Sequence, residues 1–192
     1  MHTTEHEKML AGELYDASDD ALMKLRVHAR NWMQEYNQTS YDKDLRSQLL
    51  KKILGRTGNN IDIQTPFYID YGCHIEVGDN FFANFNCVFL DCNYIKCGDN
   101  VFLGPAVQVY AAYHPLIAAE RIKGPELATG ISIGNNVWIG GGAIICAGVT
   151  IGDNTTIGAG SIVLKDIPAN VLAVGNPCRV VRNLPGSIET VL

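Results

Sequence analysis

His114 stands where chemistry is easiest to build, in Tyr110-Ala111-Ala112-Tyr113-His114-Pro115-Leu116. A run of regular six-residue blocks stops there and a long insertion begins. A histidine at such a junction is held by the regular part and remains reachable. Imidazole ordinarily has a pKa of ~6.5, so it can take a proton at neutral pH and return it. The plainer alternative is a histidine that only closes the loop. A second group is basic: Lys165, Arg179 and Arg182, in a chain of net charge −5. A guanidinium fork suits phosphate oxygens and an ammonium adds a point charge; the alternative is a solvated surface. Position alone leaves both pairs of readings open. His74 is the only other histidine outside the N-terminal part, and His2, His6 and His28 read as surface residues. No histidine pair has close ligand spacing, which argues against a three-histidine zinc site, and no metal is expected. The six cysteines (Cys73, Cys87, Cys92, Cys97, Cys146 and Cys178) form no CxxC pair. They read as reduced, mostly buried thiols, with Cys92 and Cys97 as filler rather than metal ligands.

The elements that must position these residues show in a six-residue period. Six consecutive blocks begin at Ile133, Ile139, Ile145, Ile151, Ile157 and Val163, apolar each time. Their second positions are Gly134, Gly140, Cys146, Gly152, Gly158 and Leu164, and their fifth positions are mostly small. A fixed short period means one unit stacked on copies of itself. Six residues are too few for a helical repeat and fit one flat face of a β-helix. Three faces make one triangular coil, with the first position pointing inward. The pattern also opens at Val77-Gly78-Asp79-Asn80 and Cys97-Gly98-Asp99-Asn100, with two extra residues between the runs. Asn and Asp tolerate the left-handed turns such corners need. The long gap from Val109 to Ile133 predicts an extruded loop over 114–130. An ordinary β-sandwich would not hold the period over six blocks without slipping.

Residues 1–58 are a different material, predicted helical. Thr4-Glu5-His6-Glu7 reads as a capping box and Gly12 as its stop. Ser18 or Asp19 caps a second helix with Leu22, Leu25, Ala29, Trp32 and Tyr36 on one face. A third helix spans 42–54, with Leu45, Leu49, Leu50 and Ile53 inward, and 55–60 read as a linker. Such a cap hides the open end of a β-helix. Residues 59–184 hold the coils and a closing segment that covers the far end or lies along a face; 185–192 form a tail. No run approaches a membrane span, no secretory leader is apparent, and the acidic balance gives no general attraction to nucleic acid. The expected location is cytoplasmic.

Lys8-Met9-Leu10-Ala11-Gly12-Glu13-Leu14-Tyr15-Asp16, Pro66-Phe67-Tyr68-Ile69-Asp70-Tyr71-Gly72, Asn84-Phe85-Asn86 and Gly175-Asn176-Pro177-Cys178-Arg179-Val180 together resemble the maltose and galactoside O-acetyltransferases. The resemblance spans almost the whole chain. The head segment and Tyr113-His114-Pro115 are its specific parts; hexads alone are widely shared. It implies a left-handed parallel β-helix assembled as a trimer, with active sites between subunits and acetyl-CoA in the groove between two prisms. It implies that His114 is the general base, taking the proton of a sugar hydroxyl as that oxygen attacks the thioester. Asn84 matches the polar residue beside the reacting acetyl group, and Asp16 and Asp70 match positions that contact the acceptor. Gly141 and Ala159 match positions facing the pantetheine arm, with Trp138 beside it. Leu164 and Lys165 match the adenosine end, and Arg179 and Arg182 the phosphates. Glu126 stands where maltose-type members also have glutamate, to orient His114 or contact acceptor. An acceptor-contacting aspartate of the galactoside branch is replaced by Cys92, which leans the chain toward the maltose branch. The alternatives are an acetyltransferase of non-sugar acceptors, such as an antibiotic, and a non-catalytic hexad scaffold.

Overall fold

The computed structural model describes residues 3–185, so all of the expected tail except its first residue lies outside them. Three helices lead into a left-handed β-helix of short parallel strands. Helix α1 (Glu5–Ala11) carries the expected capping box, with Thr4 and Glu7 bonded reciprocally, and ends at left-handed Gly12. Helix α2 (Asp20–Asn37) is capped by Asp19 and helix α3 (Lys43–Ile53) by Asp42, each through its carboxylate.

The first face of the prism stacks β1 (Arg56–Thr57), β4 (Ile75–Val77), β7 (Ile95–Cys97), β12 (Ile131–Ile133) and β15 (Thr150–Ile151). The second stacks β2 (Asp62–Ile63), β5 (Phe82–Ala83), β8 (Phe102–Leu103), β13 (Trp138–Ile139), β16 (Thr156–Ile157) and β18 (Val171–Val174), edged by antiparallel β19 (Arg179–Asn183). The third stacks β3 (Tyr68–Ile69), β6 (Val88–Leu90), β9 (Gln108–Tyr110), β14 (Ile144–Cys146) and β17 (Ile162–Val163). Coil neighbours lie 18 residues apart in the late coils, as in Ile133↔Ile151 and Ile145↔Val163. They lie 20 apart earlier, as in Val77↔Cys97, which absorbs the two extra residues at a corner. Parallel stacking of strands this short excludes the sandwich, whose sheets are antiparallel. Every first-position residue from Ile133 to Val163 is buried, and so are the fifth positions Val137, Ala143, Val149, Thr155, Ser161 and Ile167.

One corner explains the recurring asparagines. Asn60, Asn80, Asn100, Asn136, Asn154 and Asn170 all take positive φ, from 55° to 60°. Their side-chain amides form an unbroken ladder, each donating to the next carbonyl at 2.9 Å. Glycine at a neighbouring corner has another cause, close approach. A Cβ on Gly140 would sit 2.4 Å from the backbone nitrogen of Ala159 in the next coil.

The helices close the open end of the first coil. Tyr36 donates its hydroxyl to the Ile63 carbonyl at 2.7 Å, and the Asn37 amide bonds both the carbonyl and the N–H of Phe67. These are edge-strand groups with no coil beneath them. Two expected inward leucines are corrected: Leu25 and Leu45 are 37 % and 41 % exposed. The α3 stripe facing the coil is Arg46, Leu49, Leu50 and Ile53. Leu45 stands one residue, about 100° of turn, off that stripe. Arg46 takes its place, its guanidinium against the rings of Tyr36 and Tyr41. Strand β1 also begins inside the stretch read as a linker, already paired with β4. At the far end β18 continues the second face and β19 folds back on it. The extruded loop leaves as a hairpin of β10 (Ala112–Tyr113) and β11 (Leu127–Ala128), with α4 (Ala118–Arg121) at its tip.

Candidate active site

The candidate residues divide between two edges of the third face. Asn84, Gly141 and Ala159 lie on the corner between the second and third faces. There successive coils present Asn84, Gly104, Gly140 and Gly158, whose N–H groups each bond the coil above. The Asn84 carbonyl accepts the Phe85 N–H at 2.8 Å. Its amide NH2 has no partner among the described residues, which leaves a donor free. At the next position the coils present Phe85, Pro105, Gly141 and Ala159, so side-chain relief is small at the last two.

The opposite corner, between the third and first faces, carries Asp70, Asp91, Cys92 and the extruded loop. Asp91 is 0 % exposed and faces inward. Its carboxylate accepts the N–H groups of Asp70 (3.1 Å), Tyr71 (2.9 Å) and His74 (3.4 Å). Burial pushes its pKa up to about 6, with the bonds from Tyr71 and Asp70 pulling the other way. Asp91 therefore builds the corner and meets no substrate. Burial also raises the Asp70 carboxyl, opposed by Arg30 at 3.6 Å and by the Cys92 thiol, which donates at 3.7 Å. Burial pushes that thiol up to about 12, so it stays protonated at neutral pH and is no nucleophile.

Asp16 follows helix α1 and is exposed, its carboxylate accepting the N–H (2.8 Å) and hydroxyl (2.6 Å) of Ser18. Those two bonds lower its pKa. It lines a cavity of about 620 Å3 with Arg26, Lys123, Gly124 and Pro125. Glu126 borders the same region: its carboxylate accepts the Tyr15 hydroxyl at 2.8 Å. His114 follows β10, is exposed, and its ring bonds nothing among the described residues. No hydrogen bond joins it to Glu126 in the single chain.

Leu164, Lys165, Arg179 and Arg182 are all exposed around the last coil. None of the three cations has a carboxylate partner among the described residues; Arg179 bonds only the Cys178 carbonyl, at 2.8 Å. Trp138 is 56 % exposed, in the outward column of the second face, three residues ahead of Gly141. Sequence reasoning missed Tyr15, Arg26 and Arg30. The arginines are spaced i, i+4 on α2, which puts them on one helix face, and that signal was available. Tyr15 left none, because its partner lies 111 residues away.

Comparison with known proteins identifies the fold and the family. Residues 8–58 match the family model of the maltose acetyltransferase hexapeptide capping motif, and 130–165 that of the bacterial transferase hexapeptide with six repeats. Nodulation protein L of Rhizobium meliloti is 45 % identical, over 94 % of this chain and 99 % of its own. The crystal structure of a maltose O-acetyltransferase from Clostridium difficile superposes with a TM-score of 0.94 at 49 % identity, covering 95 % of this chain and 98 % of that one. A galactoside acetyltransferase in complex with coenzyme A gives 0.92 at 40 % identity, covering 96 % and 92 %. A capped hexad prism with its polar groups at two corners, matched end to end by these proteins, makes this chain a member of the hexapeptide-repeat acetyltransferase family, closely related to the maltose and galactoside O-acetyltransferases.

Proposed function

We propose that the protein is an acetyl-CoA-dependent O-acetyltransferase of sugars, and that it works as a trimer. The observation that carries the reading is the end-to-end match to a galactoside acetyltransferase holding coenzyme A. The chain's own features support it. A side-chain-poor corner at Gly141 and Ala159 suits the pantetheine arm, with Trp138 beside it. Leu164 and Lys165 suit the adenosine end, and the unpaired Arg179 and Arg182 suit the phosphates. Asp16 and Asp70 accept hydrogen bonds from acceptor hydroxyls.

The reaction is direct transfer. His114 takes the proton of an acceptor hydroxyl as the oxygen attacks the thioester carbonyl. The Asn84 amide donates to the oxyanion of the tetrahedral intermediate. The C–S bond then breaks, and the imidazolium returns the proton to the leaving thiolate.

Two copies are needed to assemble this site. Asn84 and His114 sit on opposite edges of one face, several strand residues apart, on the order of 15–20 Å at ~3.3 Å per residue. The outward residues between those edges are Tyr68, Val88, Gln108, Ile144, Ile162, Leu90, Tyr110 and Cys146, apolar but for Gln108. So apolar a face supports contact with another copy. The six unpaired cysteines support a reducing compartment, the cytoplasm. Among the described residues no helix is long and apolar enough to cross a membrane.

A second reading is a non-sugar acceptor: Cys92, in place of an acceptor-contacting aspartate, puts a neutral thiol beside Asp70 and leaves the choice of acceptor open. The test is thiol release from acetyl-CoA with maltose, glucose, galactosides and a non-sugar antibiotic offered separately, on wild type and His114→Ala. Sugar-dependent release that falls at least ~10²-fold in the variant is expected. Release with the antibiotic alone moves the protein to the second reading, and unchanged turnover in the variant removes His114 as the base.

A further inference from the structure

We infer that Tyr15 is a positioning residue for the catalytic histidine, acting through Glu126, and that the N-terminal helical segment is thereby part of the catalytic apparatus. The inference rests on the general-base reading of His114. Three hydrogen bonds join Tyr15 to Glu126. The Tyr15 N–H donates to the Glu126 carbonyl at 3.1 Å, the Glu126 N–H to the Tyr15 carbonyl at 3.0 Å, and the Tyr15 hydroxyl to the Glu126 carboxylate at 2.8 Å. The phenol is buried, 1 % exposed. It lies in a small core of Met9, Leu22, Tyr71, Cys92 and Ala128, separate from the core of the prism.

The hairpin register supplies the link to His114. Ala112 pairs with Ala128 and Tyr113 with Leu127, and continuing that register by one residue sets His114 opposite Glu126. Directly opposed residues of an antiparallel pair project to the same side, about 5 Å apart at Cα. Tyr15 holds one oxygen of the Glu126 carboxylate, and the other has no partner among the described residues. That oxygen is free to accept an N–H of the imidazole, fixing its tautomer and stabilising the imidazolium formed in the reaction. A second tether keeps the hairpin in place: the Asn93 amide donates to the carbonyls of Met9 (3.2 Å), Leu10 (3.1 Å) and Ala128 (3.1 Å). Helix α1, the hairpin and the corner of the prism are thus joined at one buried point. Tyr15 also fixes the chain just before Asp16, so base and acceptor contact are set by the same anchor.

The experiment is a double-mutant cycle on turnover, with wild type, Tyr15→Phe, Glu126→Gln and the double variant. His114→Ala provides the baseline. Phenylalanine keeps the packing and removes only the hydroxyl. Tyr15→Phe is expected to lower kcat about tenfold, the scale of a mispositioned catalytic group, with KM for acetyl-CoA within about twofold of wild type. In the Glu126→Gln background the same change should alter kcat less than about twofold, because the path through Glu126 is already broken. A purely structural Tyr15 would give the same factor in both backgrounds, and that result overturns the inference. So does a Tyr15→Phe enzyme of unchanged kcat, or one impaired only in KM for acetyl-CoA. His114→Ala separates the two levels. Retained turnover there sinks the general-base reading and this inference with it. An inactive His114→Ala enzyme beside an uncoupled Tyr15 sinks this inference alone.

Discussion

The first and third faces of the prism share one coil geometry and carry opposite outer chemistry. On the first, the stacked outward residues are Arg56, Glu76, Lys96, Ser132 and Thr150. On the third they are Tyr68, Val88, Gln108, Ile144 and Ile162. Inside, both faces are alike, with Val77, Cys97, Ile133 and Ile151 on one and Ile69, Phe89, Val109, Ile145 and Val163 on the other. The interior is therefore set by the need to fill the prism, and the exterior by what each face meets. Water satisfies the first face. A mostly apolar column, interrupted only by Gln108, gains nothing by facing water, whereas the same column against a second copy excludes water from both. The two edges of that face are also where the proposed catalytic groups, Asn84 and His114, lie.

The sharpest way to break the comparison is to put one charge on each face. Ile144→Arg should disperse the proposed trimer and abolish turnover, since an unpaired buried cation is strongly destabilising at an interface. Ser132→Arg on the first face should leave both intact, because exposed substitutions cost little, within about 0.5 kcal/mol. Sedimentation together with thiol release reads both variants. A monomeric Ser132→Arg beside a trimeric Ile144→Arg would reverse the assignment of faces.

A smaller effect sharpens it. Asn84→Ala and His114→Ala should each be nearly inactive as pure proteins. Co-refolded in equal amounts they should regain about a quarter of wild-type turnover, the share of sites that draw one intact residue from each kind of chain in a cyclic assembly. Recovery at background level would mean that one chain supplies both groups.

The smallest effect concerns stability at the corner bounding the third face. The folded-state pKa of Asp91 is raised to about 6, above the unfolded carboxylate range. Its contribution is therefore fully present below pH ~4 and is lost as pH rises through about 6, on the order of 3 kcal/mol in all. Burial depresses the basicity of His74 beside it, which works with the opposite sign, costing stability as pH falls below ~6.5. Denaturant unfolding of wild type and Asp91→Asn across pH 4–7 separates the two. Their stability difference should change through that window, and a constant difference would show that Asp91 does not titrate there.

Much of the fold was legible because stacking makes the period strict. Each coil must repeat the same inward side chain, so the isoleucines from Ile133 to Ile157 announce themselves. The caps of the first two helices were legible too, since Thr4 and Asp19 act on N–H groups two or three residues away, whereas Asp42, read as the first residue of the third helix, is its cap. Leu25 and Leu45 were misread because an apolar residue at the margin of a stripe looks the same as one at its centre. Tyr15 was missed because the bond that gives it a role crosses 111 residues. His114, Asn84 and the basic residues could be named from the sequence, while their separation across one face could not.

By itself, then, the sequence determined the coil, the capping helices, the extruded loop and the residue types available for acyl transfer. These are properties of local spacing, carried by side chains that meet within one or two coils. Only the tertiary structure decided which residues share a corner, that Asp91 is turned inward, and that Tyr15 clasps Glu126 at the foot of the hairpin. Those facts follow from how coils of 18 and 20 residues fall into register and from where the hairpin folds back. Register brings together residues far apart in the chain, and no local pattern records it.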